Sequence, residues 1–113
     1  WYLDDLDNTW EVFYNNDITQ GVSEDRKKQI LGGEACMWAE SVDTSNWFNT
    51  VWPRAAAVGE HLWTPREKHD VDAALNRIIG FRCLLNRRGI EAAPVLNLKG
   101  RAAPLGQGGC YWQ

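Results

Sequence analysis

An α/β fold is the class that the 113 residues predict, and three observations carry it. Short apolar runs alternate with segments of helical periodicity. The chain opens on Trp1-Tyr2-Leu3-Asp4, which reads as the end of a buried strand. Ile30-Leu31-Gly32-Gly33-Glu34-Ala35-Cys36-Met37-Trp38 reads as a second, complete strand, too short for a typical helix and carrying two glycines that permit close backbone approach.

The elements follow in order. Between residues 5 and 14, Leu6, Trp10 and Phe13 lie four and three apart, the spacing of a short helix. Asn15, Asn16, Asp17 and Gly21 mark a loop, and residues 24–28 form a charged helical turn. After the second strand, Asp43, Thr44, Ser45 and Asn46 make a polar loop with helix-capping residues. Residues 47–63 predict a helix with Trp52, Ala55, Ala56, Gly59 and Trp63 on one face; Pro53 lies in its first turn or marks its true start, and Thr64-Pro65 stops it. Residues 71–88 give the clearest helix, with Asp70 as N-cap and Val71, Leu75, Ile78, Phe81 or Arg82, and Leu85 on the apolar face. Arg87 and Arg88 fall in its last turn and Gly89 follows as a cap. From about residue 92 to 113 the chain is Pro/Gly-rich and reads as an irregular tail.

A β-α-β-α order implies a parallel sheet, and one complete strand cannot form that sheet alone. A (β/α)8 barrel takes about 250 residues. The expectation is therefore that residues 1–113 form the C-terminal portion of such a barrel: the end of strand 7, strand 8 and the closing helices. The chain reads as a piece of a longer protein, so its lack of a targeting signal is uninformative about location.

Composition narrows the function. Apolar residues make up 44% and charged residues 24%, with a formal net charge of −3. That balance is globular, and with no basic stripe and no apolar run near ~20 residues it predicts neither a nucleic-acid nor a membrane partner. The three cysteines and two histidines lack zinc-ligand spacing, so neither metal nor cofactor is expected. The simplest cysteine arithmetic is one disulfide plus one free thiol. A bridge from Cys110 to Cys83 would pin the Gly-rich tail, contribute about 3–4 kcal/mol on the chain-entropy account, and imply an oxidising or lysosome-like compartment. Three reduced thiols in a cytosolic protein are the alternative. The sequence holds no Asn-x-Ser/Thr acceptor site.

Seven tryptophans among 113 residues are an unusual number. Trp38 and Glu40 stand two apart at a strand end, so period-two geometry sends both side chains to one face. Strand C-termini line the active-site mouth of a barrel. An indole face meets the slightly positive C–H face of a sugar, and a carboxylate accepts from its hydroxyls. Tyr2 and Asp4 repeat the spacing at the preceding strand end. The plainer alternative at each pair is a core aromatic beside a solvated acid. By parity Glu34 and Cys36 are expected inward and deeper, Glu34 as a hydrogen-bonded core carboxylate and Cys36 as a buried thiol. His61 and His69 are expected to be structural or at the surface, and Trp10, Trp47, Trp52 and Trp63 to pack in the core.

The run Gly32-Gly33-Glu34-Ala35-Cys36-Met37-Trp38-Ala39-Glu40 resembles family 20 β-N-acetylhexosaminidases. So do Trp52-Pro53-Arg54-Ala55, Glu60-His61-Leu62-Trp63, Phe81-Arg82-Cys83, Arg88-Gly89 and the opening Trp1-Tyr2-Leu3-Asp4, and the Gly-Gly-Cys-Tyr ending is most similar to plant-type and related eukaryotic members. The resemblance implies a glycoside hydrolase of (β/α)8 fold that removes terminal non-reducing N-acetylhexosamine from glycans by a retaining mechanism. In that mechanism the substrate's own acetamido oxygen attacks the anomeric carbon. The acid Glu and orienting Asp of such enzymes lie on an earlier strand, outside these residues, so the 113 residues alone are expected to be inactive.

By the same resemblance Tyr2 positions the acetamido oxygen, and Asp4, Trp38 and Glu40 bind the sugar. Cys83 and Cys110 match the family's C-terminal disulfide. The expected partners are the glycan, the rest of the barrel and, by analogy, a second copy in a homodimer; the expected location is lysosomal, vacuolar or secreted. A non-catalytic carbohydrate-binding barrel is the alternative function, and an independent structural domain a third reading. Two departures stand out: Ala39 where many members have Gly, which tightens the turn, and His61 where Arg is common.

Overall fold

The computed structural model describes residues 1–96. Among the described residues five α-helices appear in order: α1 Trp10–Tyr14, α2 Glu24–Lys27, α3 Trp47–Val51, α4 Arg54–Trp63 and α5 Val71–Arg87. A 3-10 turn, Arg66–Lys68, joins α4 to α5.

The helix boundaries follow local chemistry. Thr9 caps α1 by accepting from the Val12 amide, and Asp70 caps α5 by accepting from Asp72 N and Ala73 N at 3.0 Å each. Gly89, at φ 79°, ends α5 in the left-handed conformation that a side chain disfavours. The helix expected over 47–63 is two helices. Pro53 has no N–H to continue α3, and its carbonyl instead accepts from Ala56 N and Ala57 N to start α4. The Trp52–Pro53 bond at this break is cis.

This break turns α4 away from the expected face. Arg54, Ala57, Val58 and His61 are its buried residues, whereas Trp63 is 89% exposed. Trp63 is thus not a core residue, and Trp47 is also largely exposed. α5 keeps its face more closely, burying Ala74, Ile78, Arg82, Cys83 and Leu85, with Phe81 turned toward Trp52 at a ring separation of 5.9 Å.

Two apolar clusters hold the helices. Trp10 and Tyr14 of α1, Ala57 of α4, Ala74 and Ile78 of α5, and Val95 form one. Leu3, Phe13, Val51 and Val58 form the other and tie the chain's opening segment to α1, α3 and α4. Burial of this apolar surface, at about 25 cal/mol per Å², is the main attraction between the helices.

The expected strand over residues 30–38 is the principal correction. Among the described residues there is a single β-bridge, Tyr2 with Cys36, in the parallel sense. Leu3 N donates to Cys36 O and Cys36 N to Trp1 O, both at 2.9 Å. Residues 31–35 are exposed, with Leu31 98% so. A strand is stabilised by neighbours on its two edges; here one neighbour meets it at one position. Glu34, expected as a buried carboxylate, is therefore exposed, and Cys36 is half-buried as a free thiol. Gly33 does allow a close approach: a Cβ there would lie 2.6 Å from the Trp1 ring.

Candidate functional site

Tyr2, Asp4, Trp38 and Glu40 come together where the two bridged segments end. The Tyr2 hydroxyl donates to Glu40 Oε2. Asp4 Oδ2 accepts from the backbone N–H of Trp38 and of Glu40, at 3.2 Å each. The residue between those two amides, Ala39, has φ 62°. Left-handed backbone is rare for a residue with a Cβ, and here it lets the two N–H groups converge on one oxygen. The second Asp4 oxygen, Oδ1, is buried and has no hydrogen-bond partner. Trp38 is 77% exposed, Glu40 is exposed and Tyr2 is partly so. The phenol and the carboxylate thus meet at one accessible edge, and the Trp38 ring is exposed two residues before Glu40.

The electrostatics fix the protonation of this group. Tyr2 is pushed well above the ordinary phenol range, first by the hydrogen bond it donates to Glu40, then by desolvation and by the charges of Glu40 and Asp4. It is a neutral donor at any working pH. Desolvation opposes ionisation of Asp4, but hydrogen bonds from Glu40 and from the backbone of residues 39–41 outweigh it and hold the carboxyl below its ordinary value.

Arg54 supports the site from beneath. It is buried, and its guanidinium donates to the carbonyls of Asp5 at 2.8 Å, Asn8 at 3.2 Å, Thr50 at 2.7 and 3.0 Å, and Leu3. Its Cζ also lies 5.2 Å from the centre of the Phe13 ring. Arg54 therefore fixes the turn that leaves Tyr2 and Asp4, yet it was legible in the sequence only as part of Trp52-Pro53-Arg54-Ala55. The available signal was a lone cation inside an otherwise apolar stretch, which demands several acceptors once buried.

Away from these four residues, a cavity of about 400 Å³ is lined by Tyr14, Ile30, His61 and His69, with Asp17 and Arg66 ion-paired at its rim. The His61 and His69 rings lie 4.4 Å apart, and His61 also meets Trp1 and Tyr14 edge-on. His69 Nε2 lies 3.0 and 2.9 Å from the carbonyls of His61 and Thr64. Burial, then the nearby His69, lowers the His61 pKa. Both histidines serve packing here. Of the two expected disulfide residues, Cys83 is fully buried on α5, while Cys110 lies outside the described residues.

The profile of the glycosyl hydrolase family 20 catalytic domain matches residues 3–66, which include Asp4, Trp38, Glu40 and Arg54. Beta-hexosaminidase 1 of Arabidopsis thaliana is 49% identical over 118 residues, covering 100% of this chain and 22% of that protein. Beta-hexosaminidase 3 of the same plant is 46% identical over 117 residues with the same coverage. Beta-hexosaminidase subunit beta of Homo sapiens is 40% identical over 98 residues, 84% of this chain and 18% of that subunit. The chain spans about a fifth of the length of these curated relatives. A family match over more than half of the residues, reinforced by identity along the whole length, has one meaning: the chain belongs to glycosyl hydrolase family 20.

Proposed function

We propose that this chain is the closing part of a β-N-acetylhexosaminidase that hydrolyses terminal non-reducing N-acetylhexosamine residues from glycans, and that Tyr2, Asp4, Trp38 and Glu40 form part of its sugar pocket. The observation that carries the reading is the contact of Tyr2 with Glu40 beside an exposed Trp38, at the ends of two segments bridged in parallel. The parallel sense favours placing these segments as the seventh and eighth strands of a (β/α)8 barrel. In such a barrel the exposed residues 31–35 would find their missing neighbour on the far edge.

The chemistry of the pocket is an exchange of partners. Without sugar, the one O–H of Tyr2 is used on Glu40. A bound sugar would offer its acetamido oxygen as an acceptor to Tyr2 and its outer hydroxyls as donors to Glu40. Each protein group then trades one charge-assisted partner for a substrate partner. Trp38 would lie along the apolar face of the ring and exclude water.

Retention of configuration would follow from attack by the acetamido oxygen on the anomeric carbon, which Tyr2 helps to hold in place. The proton for the leaving group would come from a carboxylic acid on an earlier strand of the longer protein. Cys83 paired with Cys110 would anchor the tail in a lysosomal, vacuolar or secreted enzyme, and a homodimer is the expected assembly.

The test is turnover of a chromogenic N-acetylglucosaminide. The longer protein is expected to cleave it and the 113 residues alone are not. In the longer protein, Tyr2→Phe should lower kcat more than it changes KM, and Glu40→Gln should mainly raise KM. A longer protein that binds the sugar without turnover would replace this reading by a carbohydrate-binding barrel.

A further inference from the structure

We infer that Trp1 is a positioning residue: seated on Gly33 and held by Phe13 and His61, it sets where its neighbour Tyr2 presents the hydroxyl that holds the sugar's acetamido group. This rests on the proposed N-acetylhexosamine pocket and deepens it by a residue that acts through Tyr2.

Alternation along the first segment puts Tyr2 on the side of the site and turns Trp1 and Leu3 toward the helices. Leu3 is buried among Phe13, Val51 and Val58, and Trp1 packs against the same cluster. Three neighbours hold the indole. Its N–H donates to Phe13 O of α1 at 2.7 Å. Its ring lies against His61 of α4, with centroids 5.6 Å apart and planes inclined by 63°. The third neighbour is Gly33, where a Cβ would stand 2.6 Å from Trp1 Cζ3. That is roughly 1 Å inside ordinary carbon–carbon contact. Gly33 does not have a positive φ, so what it supplies is room and not backbone freedom. The backbone repeats the tie: Trp1 N donates to Glu34 O at 2.8 Å, and Trp1 O accepts from Cys36 N at 2.9 Å. All of these partners lie within the 113 residues, so the seat does not wait on the rest of the barrel.

A methyl at position 33 has to displace the ring. The ring is not free to swing, because Phe13 O holds its N–H and His61 lies against it. The movement therefore passes to the Trp1 backbone and on to Tyr2. A misplacement of about 1 Å in a positioning group costs up to about a hundredfold in rate.

The test is a mutant cycle in the longer enzyme on a chromogenic N-acetylglucosaminide. Gly33→Ala should lower kcat by about tenfold or more and change KM by less than about threefold. A smaller ring leaves room for the methyl, so Trp1→Phe added to Gly33→Ala should restore kcat several-fold. Placed on Tyr2→Phe, Gly33→Ala should lower kcat by less than about a further twofold, because the hydroxyl it displaces is already gone. The same factor in both backgrounds, or no rescue by Trp1→Phe, would overturn the role of Trp1. If Gly33→Ala does not fold, Trp1→Phe with and without Tyr2→Phe runs the same cycle: it should lower kcat only where the Tyr2 hydroxyl is present, and an equal loss in both overturns the inference.

An unchanged kcat in Tyr2→Phe, or a wild-type longer protein without turnover, would sink the pocket reading instead. The seat is then read in melting midpoints. The loss from Gly33→Ala should shrink in the Trp1→Phe background, and equal losses would refute it.

Discussion

The helical layer and the site-bearing tips are built on opposite principles. α1, α4 and α5 close their backbone hydrogen bonds within a few residues, and they bury Trp10, Tyr14, Ala57, Ala74 and Ile78 against one another. The tips, residues 1–4 and 34–41, are joined to each other through one β-bridge, the Asp4 bonds to Trp38 and Glu40, and the Tyr2–Glu40 contact, and Leu3 anchors the first of them to the helices. The first region closes its hydrogen bonds locally and needs distant partners for burial, while the second takes its hydrogen bonds from distant partners too. Its polar side chains take the place of a sheet ladder. The residues proposed to meet a sugar stand where local structure is weakest, because accessibility and self-sufficient burial exclude each other.

Arg54 joins the two regions, so its loss should have the largest effect. Arg54→Ala in the longer protein leaves the carbonyls of Leu3, Asp5, Asn8 and Thr50 short of donors. Unsatisfied buried groups cost about 1–3 kcal/mol each and combine less than additively, which makes a destabilisation of about 3–5 kcal/mol the expectation. Denaturant titration measures it, and a loss below about 1 kcal/mol would mean that water replaces the guanidinium.

Ile78→Ala and Leu31→Ala compare one apolar residue from each region. Ile78 is 2% exposed and should cost about 2–5 kcal/mol on truncation. Leu31, 98% exposed, should cost less than about 0.5 kcal/mol in the 113-residue chain. In the longer protein the barrel reading requires the Leu31 cost to rise above about 1 kcal/mol. Equal values in both contexts would break it.

Hydrogen exchange reads the same contrast amide by amide. Amides near Ile78 in α5 should be protected well beyond those of residues 31–35, which should exchange at nearly unstructured rates in the 113-residue chain. Similar protection in both would show that residues 30–38 pair after all.

The smallest effect concerns pH. The His61 pKa is lowered in the folded chain, first by burial and then by His69. The folded state then binds fewer protons than the unfolded state as pH falls through the ordinary histidine range. The His61 contribution is accordingly complete above about pH 6.5 and declines as pH drops toward the folded value. Asp4 has the same sign at a lower pH: its lowered pKa adds stability above the ordinary carboxylate range that is lost in stronger acid. Melting the protein from pH 8 to pH 5 should show a falling midpoint. His61→Phe should flatten that slope; an unchanged slope would assign it to other groups.

By itself, the sequence determined most of the local helical elements and the spacing of the proposed site residues. Asp70 and Gly89 bound α5 where capping chemistry required, the turn over Glu24–Lys27 formed in its charged segment, and Trp10 and Phe13 fell on the buried side of α1. Each depends on residues within a turn or two of one another. The pairs Tyr2/Asp4 and Trp38/Glu40 were read from their spacing as strand-end motifs, and the structure brings Tyr2 to Glu40 and Asp4 to the amides of Trp38 and Glu40 beside a single bridge rather than a strand. Tertiary structure alone decided the rest. The break at Pro53 set which face of α4 is inward, and so exposed Trp63 while burying Arg54 and His61. Long-range packing likewise made Asp4 a partner of backbone amides 34 and 36 residues away, with Ala39 left-handed between them. Residues 30–38 have the composition of a strand, but a strand's hydrogen bonds lie between segments rather than within one, so composition cannot supply them.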